Sequence, residues 1–317
     1  MSELIKNQRF GVEVEFTGIS RETAAKCIAQ VISNHHISSA DETAYHRINV
    51  TDLSDNRKWT IMRDSSIEPK RSGMPVPGCS YPELDEYRVE FVTPILTYKD
   101  IPTLQAIIRK FREAGGVVNR TCGIHVHVDG TAHNDFSLRR LCNFMVARQD
   151  LIYESLGVGN RKNRWCRPIS EDLLKAMKSR KELRPGDLER IWYSEANDGY
   201  YGGIDHRHYN STRYHGANLH SYFSKGTVEF RLFNSTLHAG KIKAYIQLCL
   251  AISAWAIESS EDIKFSRKIN LTTAQKKTLF RNILRNRLEL TGDEFKTCRH
   301  HLLANFKEAA AREPIAA

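Results

Sequence analysis

Two histidines lie two residues apart in the segment TCGIHVHVDG, which spans residues 121–130. Side chains alternate between the two faces of a β-strand, so His125 and His127 would share one face if this segment is extended. Two imidazole rings on one face could bind a metal ion or contact a substrate, and they could also be ordinary polar residues of an exposed sheet. The acidic residues elsewhere in the sequence help to decide between these interpretations.

Acidic residues occupy comparable positions in other segments that favour strands. They are Glu13 and Glu15 in FGVEVEF, Glu90 in VEFV, Glu229 in TVEFRLF and Asp64 after KWTIM. Each acid taken alone is typical of the solvent-facing side of a strand. If the strands form one sheet, however, the carboxylates would converge, repel one another and raise their own pKa values unless a cation is bound. The combination therefore indicates a divalent metal site.

The donor set indicates which metal this would be. Carboxylate oxygens outnumber imidazole nitrogens, which favours Mg²⁺ or Mn²⁺ over zinc. Magnesium in such a setting commonly bridges phosphates, and Arg231 offers a planar guanidinium that suits phosphate oxygens. The sequence contains no GxxxxGK[ST] motif, so an ATP site would have to be built on the sheet and not on a P-loop.

Alternating residues predict the strands that would carry these side chains. In FGVEVEF the apolar residues alternate with Gly11, Glu13 and Glu15, and KWTIMRDSS and YRVEFVTPIL are also predicted to be strands. A helix is predicted after Ser20, and a second, over residues 100–114, ends at a pair of glycines. Strands joined by long connections and hairpins predict an α+β fold, with a mostly antiparallel sheet flanked by helices.

The remaining segments are assigned more coarsely. Residues 67–87 contain four prolines and two glycines and are predicted to form a loop, whereas residues 34–57 have no clear pattern. Residues 137–196 are predicted to be a mostly helical insert, and HSYFSKGTVEFRLFN is predicted to be a hairpin followed by a helix. The predicted organisation is one domain over residues 1–260, which the family resemblance described below implies to be catalytic, and a basic helical extension over residues 261–317.

Composition limits the class of protein. The chain has 317 residues, no apolar run long enough to span a bilayer and a polar N-terminus, so we expect a cytoplasmic protein without a membrane partner. Its seven scattered cysteines include no CxxC pair, which argues against a disulfide framework or a zinc ribbon. Much of the net charge of +10 lies after residue 260, where a polyanion or a protein could bind. Nothing in the sequence indicates the oligomeric state.

Several motifs together resemble the amidoligase family of the glutamine synthetase and glutamate–cysteine ligase superfamily. They are GVEVEF, RDSS, YRVEFVTPIL, CGIHVHVDG, NRWCRPI, RYHGANLHS and GTVEFRLFN, in the family's order across residues 9–255. The resemblance implies a glutamine-synthetase-like catalytic domain, with a curved sheet and helices packed on one face. It also implies a carboxylate–amine ligase that uses ATP and Mg²⁺ to form an amide bond through an acyl phosphate.

The resemblance also implies roles for individual residues. One Mg²⁺ ion, which would contact the ATP phosphates, is assigned to Glu13, His125 and Glu229. The ion nearer the carboxylate substrate and the amine is assigned to Glu15 and Glu90, with Asp64 as a further candidate. Asp64 or Glu90 would accept the proton of the attacking amine. The family's usual glycine after this aspartate is Ser65 here, which affects the expected geometry of the turn.

Cationic residues complete the implied site. Arg231 and Arg213 would neutralise the γ-phosphoryl group during its transfer. His127 would lie beside the nucleotide or the acyl group, and Arg164 in NRWCRPI is a candidate contact for an anionic group. The substrates would be a carboxylate and an amine, each either a small molecule, a peptide or a protein side chain.

Other functions remain compatible with parts of the sequence. Guanidino kinases share the superfamily fold, so phosphoryl transfer without ligation is one alternative. A nucleic-acid-binding or protein-binding module that uses the basic C-terminal region is a second. The segment HVHVDG is also similar to the HxHxDH pattern of metal-dependent hydrolases, but Gly130 stands in place of the last histidine.

Overall fold

The computed structural model describes residues 2–39, 45–71, 81–179, 183–195, 203–260, 263 and 270–306. Within these residues the chain forms one eight-stranded sheet with the order β2-β3-β4-β5-β1-β6-β8-β7, and neighbouring strands are antiparallel. The strands are β1 (Phe10–Phe16), β2 (His35–Ser39), β3 (Ile48–Asp52), β4 (Lys58–Met62), β5 (Val89–Val92), β6 (Gly123–Asp129), β7 (Ala217–Asn218) and β8 (Thr227–Asn234). The prediction of an α+β fold with a mostly antiparallel sheet is confirmed.

Ten α-helices accompany the sheet in the described part of the chain. They are α1 (Ser2–Asn7), α2 (Arg21–Ala29), α3 (Ile101–Glu113), α4 (Asp135–Leu156), α5 (Glu171–Ser179), α6 (Asp187–Glu195), α7 (His220–Lys225), α8 (Ala239–Glu258), α9 (Thr273–Asn282) and α10 (Lys296–Leu303). Short 3₁₀ helices cover Tyr81–Tyr87, Tyr98–Asp100, Gly159–Asn163 and Ser211–Arg213, and a π-helix covers Ile283–Arg287. No helix among the described residues is both long and apolar enough to cross a membrane.

Strand β1 lies near the centre of the sheet, and its alternating sequence explains its two different faces. Its apolar residues are buried, and Phe16 stacks on Phe111 of α3 with ring centroids 4.8 Å apart. Phe91 of β5 packs edge-on against the same Phe111 ring at 5.1 Å. Because side chains alternate along a strand, this packing leaves Glu13 and Glu15 on the opposite face.

Pairing of β1 with its neighbours brings the polar residues together. Glu13 lies opposite His125 of β6, and Glu15 lies opposite Glu90 of β5. On the other side of β6, His127 lies opposite Glu229 of β8. The register of β6 against β8 shifts between Ile124 and Val126, so His125 lies within an irregularity of the ladder.

Two segments differ from their sequence assignments. The first half of HSYFSKGTVEFRLFN is helix α7 and not a strand, so the predicted hairpin is wrong. Gly226 ends this helix with a φ of 76°, a left-handed conformation typical of a helix C-terminus. The strand that pairs with β8 is instead the two-residue β7. Residues 34–57, whose sequence has no clear pattern, contribute β2 and β3.

The helical regions agree with the sequence as far as the structure describes them. The predicted insert, residues 137–196, contains most of α4 together with α5 and α6, and residues 180–182 and 196 lie outside the described residues. The middle of the predicted loop 67–87 also lies outside them. In the C-terminal region Phe280, Leu284 and Leu302 are buried in the same core as the sheet, and α10 packs against α8. The boundary at residue 260 stays a prediction.

Candidate active site

Glu13, His125 and Glu229 form a first cluster of side chains that could bind a metal ion. Their ligand atoms all lie within 4.8 Å of one another. The Nδ1 atom of His125 lies 2.7 Å from Oε2 of Glu13 and 3.8 Å from Oε1 of Glu229. His127 borders this cluster, with its Nε2 atom 3.2 Å from Oε1 of Glu13 and 3.7 Å from Oε1 of Glu229. These residues come from three adjacent strands, β1, β6 and β8.

A second cluster contains Glu15, Glu90 and the same His125, again with ligand atoms within 4.8 Å of one another. The Nε2 atom of His125 lies 3.9 Å from Oε1 of Glu15. The other oxygen of Glu15 accepts a hydrogen bond of 2.5 Å from the backbone amide of Gly123. Asp64 lies near enough for its charge to raise the pKa of both glutamates. His125 therefore lies between two sets of carboxylates.

The first cluster is balanced in charge by its basic neighbours. Burial raises the pKa of Glu229, but Arg231 and the two histidines outweigh burial and lower it to about 2. Burial likewise opposes ionisation of Glu13, but His127 and His125 hold its pKa well below the ordinary value. Burial and the charge of Arg231 lower the pKa of His125, which favours the neutral imidazole that binds metal ions.

The second cluster is not balanced in the same way. Burial raises the pKa of Glu15 to about 8, Asp64 adds to the effect, and the Gly123 amide and Arg161 oppose it. Burial, followed by the charges of Glu13 and Glu15, raises the pKa of Glu90 well above its ordinary value. A bound cation would relieve this repulsion, and oxygen-rich donors of this kind suit Mg²⁺ or Mn²⁺. The residues present fit a divalent metal at both clusters.

Both oxygens of Glu229 are held by neighbouring side chains. Nδ2 of Asn218, on β7, donates to Oε2 at 2.6 Å, and Nη1 of Arg231 donates to Oε1. Arg231 is itself buried, and its Nε atom has no hydrogen-bond partner among the described residues. The arrangement fixes the orientation of one carboxylate that could bind a metal ion and leaves a guanidinium N–H available to an anion.

A small basic cavity of about 130 Å³ opens beside Glu229. Its lining includes Arg213, His208, His220 and Lys225, and Glu229 forms part of its wall. The guanidinium of Arg213 also lies 5.7 Å from the rings of Tyr209 and Tyr214. The cavity therefore places cationic side chains next to the first cluster, where they could contact phosphate groups.

A family model described as "Putative amidoligase enzyme" matches residues 6–253. The chain belongs to this amidoligase family. No curated protein and no solved structure matches it. The matched range includes all residues of both clusters and the basic cavity of this amidoligase. The family identifies it as an enzyme of the ligase kind.

The residues singled out in the sequence are not all placed together. The four glutamates, both histidines and Arg231 converge, and Arg213 lines the basic cavity of the amidoligase. Asp64 belongs to neither cluster but lies close enough for its charge to act on Glu15 and Glu90. Arg164 is exposed, with its guanidinium 4.4 Å from the ring of Trp165, and no contact joins it to either cluster among the described residues. Its assignment to an anionic group remains a prediction.

Three residues that contribute to the site were not identified from the sequence. Asn218 orients Glu229, Lys225 lines the basic cavity, and Arg161 lies beside Glu15. Asn218 lies within the motif RYHGANLHS and Lys225 directly precedes GTVEFRLFN, so their positions in and beside these motifs are an available signal. Arg161 lies three residues before Arg164 and carried no distinguishing pattern.

Proposed function

We propose that this amidoligase is an ATP-dependent carboxylate–amine ligase with a glutamine-synthetase-like catalytic domain. The observation that carries the proposal is the position of His125 between two carboxylate clusters on one face of the sheet. Two divalent cations held about one imidazole would serve a reaction that must bring a polyphosphate and a carboxylate together. Bound Mg²⁺ supplies charge neutralisation for the phosphate oxygens.

The first cluster and the basic cavity form the nucleotide side of the proposed site. Glu13, His125 and Glu229 would hold the Mg²⁺ ion that accompanies the ATP phosphates, with His127 at their edge. Arg213 and Lys225 lie in the cavity next to this cluster, and they would bind the phosphate oxygens of ATP. Cationic groups directed at phosphate oxygens are the main source of catalysis in phosphoryl transfer.

The second cluster forms the carboxylate and amine side. Glu15 and Glu90 would hold the second ion. An oxygen of the substrate carboxylate attacks the γ-phosphorus, ADP leaves, and Arg231 neutralises the charge of the transferring group. The amine nitrogen then attacks the acyl carbon, phosphate leaves, and the proton of the amine passes to Glu90 or Asp64.

Thermal unfolding tests the nucleotide half of the proposal. The wild type and Glu229→Gln are compared with Mg²⁺ alone and with Mg²⁺ plus a non-hydrolysable ATP analogue. A ligand present at about 100 times its dissociation constant stabilises the native state by about 2.7 kcal/mol, which is a readily measured shift in Tm. We expect a magnesium-dependent shift in the wild type that is lost in Glu229→Gln.

The matched control is Glu113→Gln, which removes a carboxylate from the exposed end of α3 and should leave the shift unchanged. Absence of a nucleotide-dependent shift in the wild type would contradict the proposal. If the shift is present, carboxylate and amine pairs are screened for release of ADP and phosphate. Formation of ADP without phosphate would assign the enzyme to the phosphotransferases instead.

A further inference from the structure

The guanidinium of Arg161 lies over the start of β6, beside the second cluster. Arg161 belongs to the 3₁₀ helix Gly159–Asn163 that follows α4. A Cβ atom at position 123 would clash with its Nη2 atom and would lie 3.1 Å from its Cζ atom. Gly123 thus leaves the space that the guanidinium occupies, while its own amide binds Glu15 at 2.5 Å. Arg161 and Glu15 are therefore brought together at one glycine.

Arg161 has no carboxylate partner in the part of the chain that the structure describes. Its Nε atom is buried without a hydrogen bond. The other arginines nearby are engaged differently, because Arg231 donates to Glu229 and Arg164 stacks on Trp165. A guanidinium has five N–H donors, so Arg161 has unused capacity to bind an anion.

The surroundings of Arg161 indicate what kind of anion this would be. The adjacent acids Glu15, Glu90 and Asp64 would gather around a cation, and a guanidinium on the same side adds further positive charge. The group that can lie between a divalent cation and a guanidinium is an oxyanion. Phosphate groups have their own cationic residues beside the first cluster, in the basic cavity that contains Arg213 and Lys225. A substrate carboxylate is then the anion left for Arg161.

We propose that Arg161 binds the carboxylate of the substrate that is to be activated, with its planar guanidinium facing the second cluster. This assignment rests on the proposed ligase function. Gly123 has a matching role, because it provides both the amide that orients Glu15 and the space for Arg161. The enzyme would accordingly select donors whose carboxylate reaches the space between Glu15 and Arg161.

The test measures binding of simple carboxylates to the full chain. Acetate, succinate and glutarate are titrated into the protein in the presence of Mg²⁺ and a non-hydrolysable ATP analogue, and binding is followed by calorimetry. The variants are Arg161→Gln and Arg161→Lys. Arg109→Gln is the matched control, since it removes an exposed arginine of α3. The affinity for the nucleotide analogue and the Tm without ligand are measured for every variant.

We expect the best-bound carboxylate to lose at least about tenfold in affinity in Arg161→Gln, because a charge-assisted hydrogen-bonded pair is removed. Arg161→Lys should keep part of the affinity, since it retains the charge but not the planar fork. Arg109→Gln should match the wild type. The affinity of every variant for the nucleotide analogue should stay within about twofold of the wild-type value. A general disturbance of folding would instead lower this affinity as well.

Two results would overturn the assignment, and they are separable from failure of the ligase function. The first is that the wild type and Arg161→Gln bind all three carboxylates with equal affinity, or that neither protein binds any of them. Arg161 would then not belong to the carboxylate site. Loss of nucleotide affinity together with carboxylate affinity in Arg161→Gln would assign it a structural role. A wild type that does not bind the nucleotide analogue would refute the ligase function itself.

Discussion

His125 and Glu13 lie directly opposite each other on β6 and β1, and Nδ1 of the imidazole is 2.7 Å from Oε2 of the carboxylate. The other ring nitrogen of His125 faces Glu15. One imidazole therefore connects two carboxylate clusters that come from different pairs of strands. This relationship distinguishes His125 from the other residues of the site, because its loss should affect both clusters.

Metal counting tests that distinction. Titration with Mn²⁺, followed by electron paramagnetic resonance, should show two ions bound to the wild type and one bound to Glu13→Gln. In His125→Ala the affinity for one ion should fall by at least about 100-fold, because the single lone pair of a neutral imidazole can ligate one ion. The affinity for the other ion should fall by about 10–100-fold, because the remaining ring N–H can only support a carboxylate ligand. His36→Ala, on the exposed strand β2, is the matched histidine control. Loss of only one ion in His125→Ala, as in Glu13→Gln, would contradict a role for His125 in both clusters.

Asn218 should act through Glu229 without contacting the metal. Its amide holds one oxygen of Glu229 at 2.6 Å, so Asn218→Ala should weaken Mn²⁺ binding at the first cluster by about 10–100-fold and leave the second cluster unchanged. The control is Asn234→Ala. Asn234 is the last residue of β8, and its side-chain amide donates to the backbone carbonyl of Gly157. Weakening of both ions in Asn218→Ala would show that β7 supports the whole sheet and not one carboxylate.

The raised pKa of Glu15 predicts how stability depends on pH without metal. The unfolded chain releases this proton near the ordinary value of 4.5, and the folded chain retains it until about pH 8. Stability is therefore lost as pH rises through this window, by on the order of a few kcal/mol. In EDTA, Glu15→Gln should have a higher Tm than the wild type at pH 8.5 and a similar Tm at pH 4.5.

Saturating Mg²⁺ should reverse the order of these two proteins at pH 8.5, because only the wild type retains the carboxylate that binds the ion. The stabilisation that Mg²⁺ gives the wild type should also grow between pH 6 and pH 8.5, since the ion replaces a proton. A magnesium-dependent rise in Tm that is equal at both pH values would contradict metal binding at the second cluster.

The sequence predicts which residues share a face of a strand, but not how neighbouring strands bring those residues together. Strand β1 is predictable because the alternation of its residues separates Glu13 and Glu15 from the buried face. The same alternation predicts that His125 and His127 share one face of β6. The sharing of His125 was not predictable, because it depends on how β6 registers against two neighbours and on the irregularity between Ile124 and Val126.

Elsewhere local pattern failed for identifiable physical reasons. Tyr222 and Phe223 favour a strand, but the left-handed conformation of Gly226 ends a short helix there instead of forming a hairpin turn. Arg161 and Arg164 are equal in type and close in sequence, and a single 3₁₀ turn decides which one reaches β6. Tertiary packing determines which arginine reaches the site, and the local sequence around two similar arginines does not indicate it.

His133 provides a prediction about acid stability that is independent of the active site. Burial, with the charge of Arg140, lowers the pKa of His133 to about 4, and its two ring nitrogens lie 3.0 Å and 2.9 Å from the hydroxyl oxygens of Ser137 and Ser253. The unfolded chain takes up a proton near pH 6.5 and the folded chain near pH 4, so stability is lost as pH falls through this window. The loss approaches about 3 kcal/mol. Tm measured from pH 7 to pH 4.5 should therefore fall less steeply in His133→Gln than in the wild type, whereas equal slopes would contradict the prediction.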